Sequence, residues 1–470
     1  MTQSNAPKTE PQPSDIRPPL ERSFSRYVKQ PFNEFVANQT TGAIILLAST
    51  FVALWLANSD YASVYRQLEK VTFGLFVDDF RLEMDLHDWV NDGLMVLFFF
   101  TLGLEVKREF IAGELSSIKN SAAVILAAIG GMVSPALIYY AINFGGDGST
   151  GWGVPMATDT AFALGAMALL GSKVNPSLKV FLVALAIVDD IGAVLVIALF
   201  YTDQIDWNAL SIAAGFFAGL LALNRLGIRG PFWYVVLALG LWYYILQSGV
   251  HATIAGVLAA LAIPARPKVH PSHLAHSMKS KAAAIYQHLS DPQQSSEQQP
   301  KEVLSDEQKD LALEEIQRQA QLTRTPLRIW ENMLNTPVSL LIVPIFAFLN
   351  AGTEITPQAL DDMLHAPIAW GIVFGLLVGK PIGIFSLTWL SVKTGMGEIN
   401  SSLNFKEIFG LSLLAGMGFT MSMFIALLSF DGSQQQLLDA KLGIMGATLI
   451  AGVLGYLWLR FVTPYRGESA

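Results

Sequence analysis

The chain of 470 residues contains no cysteine. Neither a disulfide framework nor a thiolate metal site can form, so helix packing has to carry its stability. Charge is scarce as well. Asp, Glu, Lys and Arg make up 14% of residues and apolar residues 52%, whereas soluble domains run at about 25% charged. That balance excludes an ordinary soluble enzyme and places the chain among polytopic membrane proteins. The formal charge of −8 carries little weight alone, but no basic patch is present and no nucleic-acid partner is expected. No cofactor is expected either. Residues 1–40 lack the apolar core of a cleaved signal peptide and carry Pro11, Pro13, Pro18 and Pro19. They read as a flexible tail on the side of synthesis.

A hydrocarbon layer of about 30 Å takes about 20 apolar residues per helix. Twelve such segments are legible, beginning near Gly42, Asp92, Ser121, Val154, Asn175, Leu210, Phe232, Gly249, Leu334, Ile368, Ile408 and Leu442. The expected fold is an all-α polytopic membrane protein in membrane lipid, with spans 1 to 8 over residues 41–264 and spans 9 to 12 over 331–463. Between them, residues 265–330 form a polar insertion read as a cytoplasmic linker, partly helical around Asp306 to Leu322. Its His270, His273, His276 and His288 read as solvated loop histidines, with metal binding or pH sensing as the sharper alternative. Residues 464–470 are the closing tail.

Threading the twelve segments alternately places 25 of the 30 Lys and Arg in the two tails and the even-numbered loops. The odd-numbered loops hold Arg66, Lys70 and Arg81, with Lys441 at a segment edge and Lys380 inside a span. Both termini are therefore predicted to be cytoplasmic. Between the first two spans, at about residues 70–87, Phe80, Leu82, Met84 and Leu86 alternate with Arg81, Glu83 and Asp85 after an apolar run, Val71 to Val77, and a turn at Asp78-Asp79. This predicts a small external β-hairpin, serving as a lid or as an edge that pairs with a second subunit.

Asp189 and Asp190 stand together in Val180 to Phe200, 21 residues with no other ionisable side chain. A carboxylate at the centre of a membrane helix costs roughly 2.5–3.5 kcal/mol on insertion scales, so a pair is retained for a use. Two other segments are punctuated. Gly151, Gly153 and Pro155 lead into Ala157-Thr158-Asp159-Thr160, and Gly416-Met417-Gly418-Phe419-Thr420 interrupts the eleventh span. Non-helical backbone at membrane depth survives only where it is buried in protein or lines a cavity. Lys380, in Gly379-Lys380-Pro381-Ile382-Gly383, is the one lysine placed deep in the membrane, with Asp189, Asp190 and Asp159 as available partners. The plain alternative is an ion pair that only locks helices together, and such a pair need add no net stability. Carboxylates, threonine hydroxyls and freed carbonyls suit a small hard cation, and the same carboxylates bind protons with coupled titration. Competition of cation and proton for a site that faces each side in turn is antiport.

These residues resemble the signature set of the NhaA-type sodium/proton antiporters. The resemblance rests on Asn91-Asp92-Gly93-Leu94-Met95 with Gly103 to Glu109, Ala157 to Ala163, Val188 to Ala193, Gly249 to Thr253, Gly379 to Pro381 and Gly416 to Ser422, in that order over about residues 30 to 465. It implies twelve helices with inverted repeats and two broken, crossing helices, an architecture taken from the family and not from spacing. It further implies a homodimer in the bacterial inner membrane that exchanges one Na⁺ or Li⁺ for two H⁺ and is regulated by pH. Asp190 would be the main cation and proton site with Asp189 beside it. Lys380 would pair with Asp189 and is also discussed as a proton carrier, Asp159 and Lys380 would compensate the opposed half-helix dipoles, and Thr158 would lie at the crossing. Glu105, Arg108, His251 and Glu331 match positions of the pH response, against surface ion pairs and a packed histidine as the plain alternative. Asn332, Asn335 and Thr336 stand where the family has histidines, which implies a different midpoint of alkaline activation.

Two other classes use intramembrane carboxylates. An intramembrane aspartyl protease needs one aspartate on each of two helices, whereas adjacent residues on one helix point about 100° apart. A cation channel would repeat a filter motif, and none is seen. A proton-coupled carrier of another solute, or K⁺ as a transported ion, stays open.

Overall fold

The computed structural model describes residues 40–77, 80–113, 118–202, 204–266 and 325–463. The two tails, the Asp78-Asp79 turn, and residues 267–324 with their four histidines and expected helix lie outside the described residues. Helix α1 (Thr40–Ala57) is followed by a short α2 (Ala62–Glu69). Strands β1 (Thr72–Val77) and β2 (Phe80–Asp85) pair antiparallel, with Thr72 opposite Asp85 and Phe73 opposite Met84. Helices α3 (Leu86–Ala112), α4 (Ile118–Ile142), α5 (Thr160–Leu169), α6 (Pro176–Phe200), α7 (Trp207–Arg225), α8 (Pro231–Gln247) and α9 (Thr253–Ala262) complete the part before the insertion. After it come α10 (Pro326–Asn350), α11 (Pro357–His365), α12 (Pro367–Lys393), α13 (Phe405–Leu414), α14 (Phe419–Ser429) and α15 (Gln434–Phe461).

Eight of these helices are long and apolar enough to cross a membrane, or nine if α13 and α14, bent by 49° at their break, count as one span. The other expected segments hold shorter apolar helices, α5, α8 and α9. The reason differs by segment. Residues Asp147–Met156, rich in glycine and holding Pro155, wind as a 3₁₀ helix before α5, and α9 begins only after the Gly249 turn, where φ is +79°.

Helix starts follow local chemistry. Proline occupies the first turn of α6, α8, α10, α11 and α12, where a missing N–H costs nothing. Asn175, Asp206, Thr325 and Thr356 cap the N-termini of α6, α7, α10 and α11 with side-chain oxygens. Asn404 and Glu407 form a reciprocal capping box at α13, each bond 2.9 Å.

The core is a continuous apolar cluster drawn from α3, α4, α6, α10 and α12 to α15, with a second cluster where α7, α8 and α9 meet α3. Helices α4 and α12 pack along their lengths. Their backbones touch at Gly130 and Gly383, where a Cβ on either glycine would run into the carbonyl of the other. Small residues permit this approach in membranes, where dispersion replaces hydrophobic expulsion as the force between helices.

Candidate cation site

Two interruptions cross at the centre of the molecule. Residues 157–159, extended between the 3₁₀ segment and α5, run against residues 415–418 between α13 and α14. The Asp159 N–H donates to Met417 O (2.6 Å) and Ser422 Oγ donates to Val154 O (2.7 Å). Unpaired amides at each break thus find partners on the other, which meets the requirement that backbone in a membrane be satisfied internally.

Asp159 serves both half-helices. Its Oδ1 caps α5 by accepting from the Phe162 N–H (3.1 Å), and its Oδ2 accepts from the Thr420 N–H (3.0 Å) and hydroxyl (2.6 Å) at the start of α14. One carboxylate therefore faces the positive ends of two helix dipoles. Lys380 enters the site from α12. Its ammonium donates to Asp189 Oδ2 (2.5 Å) and Thr158 Oγ1 (2.7 Å), with Asp189 and Lys380 both fully buried. Thr158 links it to a half-helix end, its hydroxyl lying 2.8 Å from Asp189 Oδ2 and 3.0 Å from Ala415 O at the C-terminus of α13. A wide π-turn at Gly375–Gly379 directly before Lys380 sets its direction on α12.

Adjacent residues on α6 diverge by about 100°. Asp189 turns to α12, while Asp190 lines a cavity of about 90 Å³ together with Thr158, Asp159, Thr160, Thr420 and Glu105. Oδ1 of each aspartate accepts no hydrogen bond among the described residues. Buried polar atoms are normally partnered, so oxygens left open here are available to a cation or a proton. Asp189 has its counter-charge in Lys380. Among the described residues Asp190 has no ion pair within 4 Å.

The remaining expected residues divide. Arg108 pairs with Glu109 (2.9 Å) and Glu331 (3.1 Å), joining α3 to α10 beside the cavity that Glu105 lines. His251 lies elsewhere, its Nε2 2.7 Å from Tyr201 O. Asn335, where the resemblance leads one to expect histidine, lines the cavity with Ser339, whereas Asn332 and Thr336 are exposed.

A family model described as Na⁺/H⁺ antiporter 1 matches residues 33–459. The chain belongs to this family. Similar curated relatives include the Na⁺/H⁺ antiporter NhaA of Sulfurimonas denitrificans, 44% identical over 94% of this chain and 98% of the relative. NhaA 2 of Psychromonas ingrahamii is 42% identical over 94% and 92%, and NhaA 1 of Pseudoalteromonas atlantica 44% over 93% and 91%. Membership with eight or more apolar helices makes the chain a multi-pass membrane protein of an antiporter family, not an enzyme family.

Several contributors to this candidate site gave no signal of their role in the sequence. Thr420 stands in the sequence as part of a break, and only the fold brings it to Asp159. The carbonyls of Ala415 and Met417 carry no side-chain signal at all. Glu109 stood in the quoted motif, yet only the fold shows that it shares Arg108 with Glu331.

Proposed function

We propose that this protein is a secondary antiporter exchanging Na⁺ or Li⁺ for H⁺ at Asp190, with Asp189 and Lys380 as its charge-compensated neighbours. The observation that carries this reading is the contrast between two adjacent carboxylates, one neutralised by Lys380 and the other facing a cavity with no ion pair within 4 Å among the described residues. A buried carboxylate in that position needs a cation or a proton, and each displaces the other. Thr158, Asp159 and Thr420 supply further oxygens around the cavity, the donor type a small hard cation prefers.

Two protons against one cation move one net charge per cycle, worth about 2.3 kcal/mol per 100 mV. Sodium is then expelled even without a pH gradient. The same reading includes twelve spans with inverted repeats, both termini in the cytoplasm of a bacterium, insertion in the inner membrane and a homodimer held by the external hairpin. Glu105, Arg108, His251 and Glu331 respond to pH. Support for regulation through Arg108 and Glu331 is their position, since this pair ties together the two helices that flank the cavity.

The test is a ΔpH assay in proteoliposomes, acid inside, challenged in turn with Na⁺, Li⁺, K⁺ and choline. Dissipation by Na⁺ and Li⁺ that is lost in Asp190→Asn is the expected result. Unaltered exchange by that variant, or no response to any cation, overturns the reading.

A further inference from the structure

Helices α3 and α10 run antiparallel past the cavity, and contacts at both ends fix their register. At one end Arg108 Nε lies 3.1 Å from Glu331 Oε1. At the other, the fully buried Asn350 donates to Asn91 Oδ1 (3.0 Å), and its own Oδ1 lies 3.0 Å from His87 Nε2. Each helix advances about 1.5 Å per residue, so about one turn inside the Arg108 pair Glu105 comes level with Asn335. One further turn inside, Thr101 comes level with Ser339. All four residues line the cavity of Asp190.

These groups offer the cavity acceptors. The Thr101 hydroxyl donates to Leu97 O (2.9 Å) and the Ser339 hydroxyl to Asn335 O (2.9 Å), each within its own helix. A hydroxyl has one hydrogen, and with that hydrogen committed only lone pairs are left to offer. Both hydroxyls are buried, so water outside the cavity does not serve them. Glu105 has no ion pair within 4 Å among the described residues, since Arg108 contacts Glu109 (2.9 Å) and Glu331 instead. Neither the Glu105 carboxylate nor the Asn335 amide makes a hydrogen bond among the described residues. The cavity wall holds three carboxylates, Glu105, Asp159 and Asp190, and among the described residues no Lys, Arg or His. A carboxylate, two hydroxyl oxygens and an amide oxygen are the donor set of a small hard cation, and an anion would meet only repulsive lone pairs here.

We propose that Glu105, Asn335, Thr101 and Ser339 form a second site for a small hard cation, a waiting position between the mouth of the cavity and Asp190. Glu105 and Asp190 act on one another electrostatically. A cleft lined by charge of one sign raises the local concentration of counter-ions and their rate of entry. Neighbouring sites in one file let an ion bind well enough to enter and weakly enough to move on. On the orientation given under the proposed function, on which this role rests, the Arg108 end of α3 faces the cytoplasm. The waiting site then serves the side from which Na⁺ is taken up.

The cysteine-free chain allows a test that needs no transport. Val338, on the cavity wall between Asn335 and Ser339, is replaced as Val338→Cys. The purified full-length protein in lipid nanodiscs is treated with methyl methanethiosulfonate at about pH 8.5, the ordinary thiol pKa. Na⁺ or Li⁺ replaces choline at constant ionic strength, and rates are normalised to Tyr61→Cys, an exposed site. Either cation should slow modification several-fold relative to choline. The slowing should persist when Asp190→Asn is added, and Glu105→Gln in that background should abolish it. Ser339→Ala, which removes one oxygen and no charge, should raise the half-protecting Na⁺ concentration several-fold. Slowing that is absent, that vanishes with Asp190→Asn alone, that survives Glu105→Gln or that ignores Ser339→Ala overturns the site. Exchange kinetics in everted vesicles then read the waiting role. Glu105→Gln should raise the KM for Na⁺ several-fold and change the maximal rate far less, and a fallen maximal rate at unchanged KM overturns that role. If the parent shows no exchange while the protection pattern holds, the antiport reading fails and the site stands. If exchange is normal and protection depends on Asp190 alone, the site falls and the antiport reading stands.

Discussion

The Lys380 ammonium contacts Asp189 and not Asp190, although the two carboxylates are consecutive in the chain. Because α6 turns about 100° per residue, neighbours in sequence are assigned to different environments. One faces a cation across a fully buried contact, and the other faces a cavity shared with Glu105 and Thr420.

Breaking this pair on one side leaves a bare charge in a dry interior. Lys380→Met should lower stability by about 3–5 kcal/mol, the cost typical of halving a buried ion pair. The double variant Lys380→Met with Asp189→Asn should recover much of that loss. Melting curves in detergent, read as a double-mutant cycle, check this. Strict additivity of the two substitutions would contradict the contact's role.

Thr420 holds Asp159 through both its N–H and its hydroxyl. Thr420→Val removes the hydroxyl and should cost about 1.5–3 kcal/mol, as for hydrogen bonds to charged groups. Thr420→Ser should restore stability and exchange together. Thermal unfolding and Na⁺-dependent ΔpH dissipation on the same preparations provide the measurement.

Gly383 meets the backbone of Gly130 one turn beyond Lys380. Gly383→Ala forces α4 and α12 apart, with an overpacking cost of about 1–3 kcal/mol. The displaced Lys380 should also lose its contact with Asp189, so exchange falls more than the amount of folded protein. Normal turnover per folded molecule would show that the close approach serves stability alone.

The hairpin is fastened to the start of α3 by Trp89, which stacks on Phe73 (centroids 5.5 Å) and donates to Phe73 O (3.0 Å). Phe73 itself stays half exposed, and a two-stranded sheet leaves unpaired edges. If the hairpin holds the proposed dimer, deleting residues 71–84 should leave a monomer in detergent while exchange persists. Light scattering of the purified deletion variant decides it, and an intact dimer removes the hairpin from the interface.

Much of the site could be read from the chain because burial of charge is expensive in lipid and therefore conspicuous. Asp159, Asp189, Asp190 and Lys380 were visible as charges in apolar runs, and the two breaks as glycine and proline where helix was needed. The start of α6 was legible near Asn175, where the following Pro176 suits a first turn. What the residues themselves did not show is pairing, since the pairing of Lys380 with Asp189 was expected only from the family resemblance. Three carboxylates were available to Lys380, and nothing local separates them. Asn91, His87 and Asn350 gave no signal as a unit, because two lie at the start of α3 and the third at the end of α10.

The sequence by itself determined that this chain builds its core in a membrane, where the apolar segments run, and that ionisable groups were retained in them at a cost. Its local codes also determined where helices start and where two of them break, through caps, prolines and glycines acting within a few residues. Only the tertiary structure decided by contact which carboxylate Lys380 neutralises, that Asp159 caps two half-helices at once, and that Asp190 and not Asp189 lines the cavity. Those outcomes depend on helix rotation and on contacts between residues more than 190 positions apart. Such long-range geometry is fixed by packing, and no local propensity encodes it.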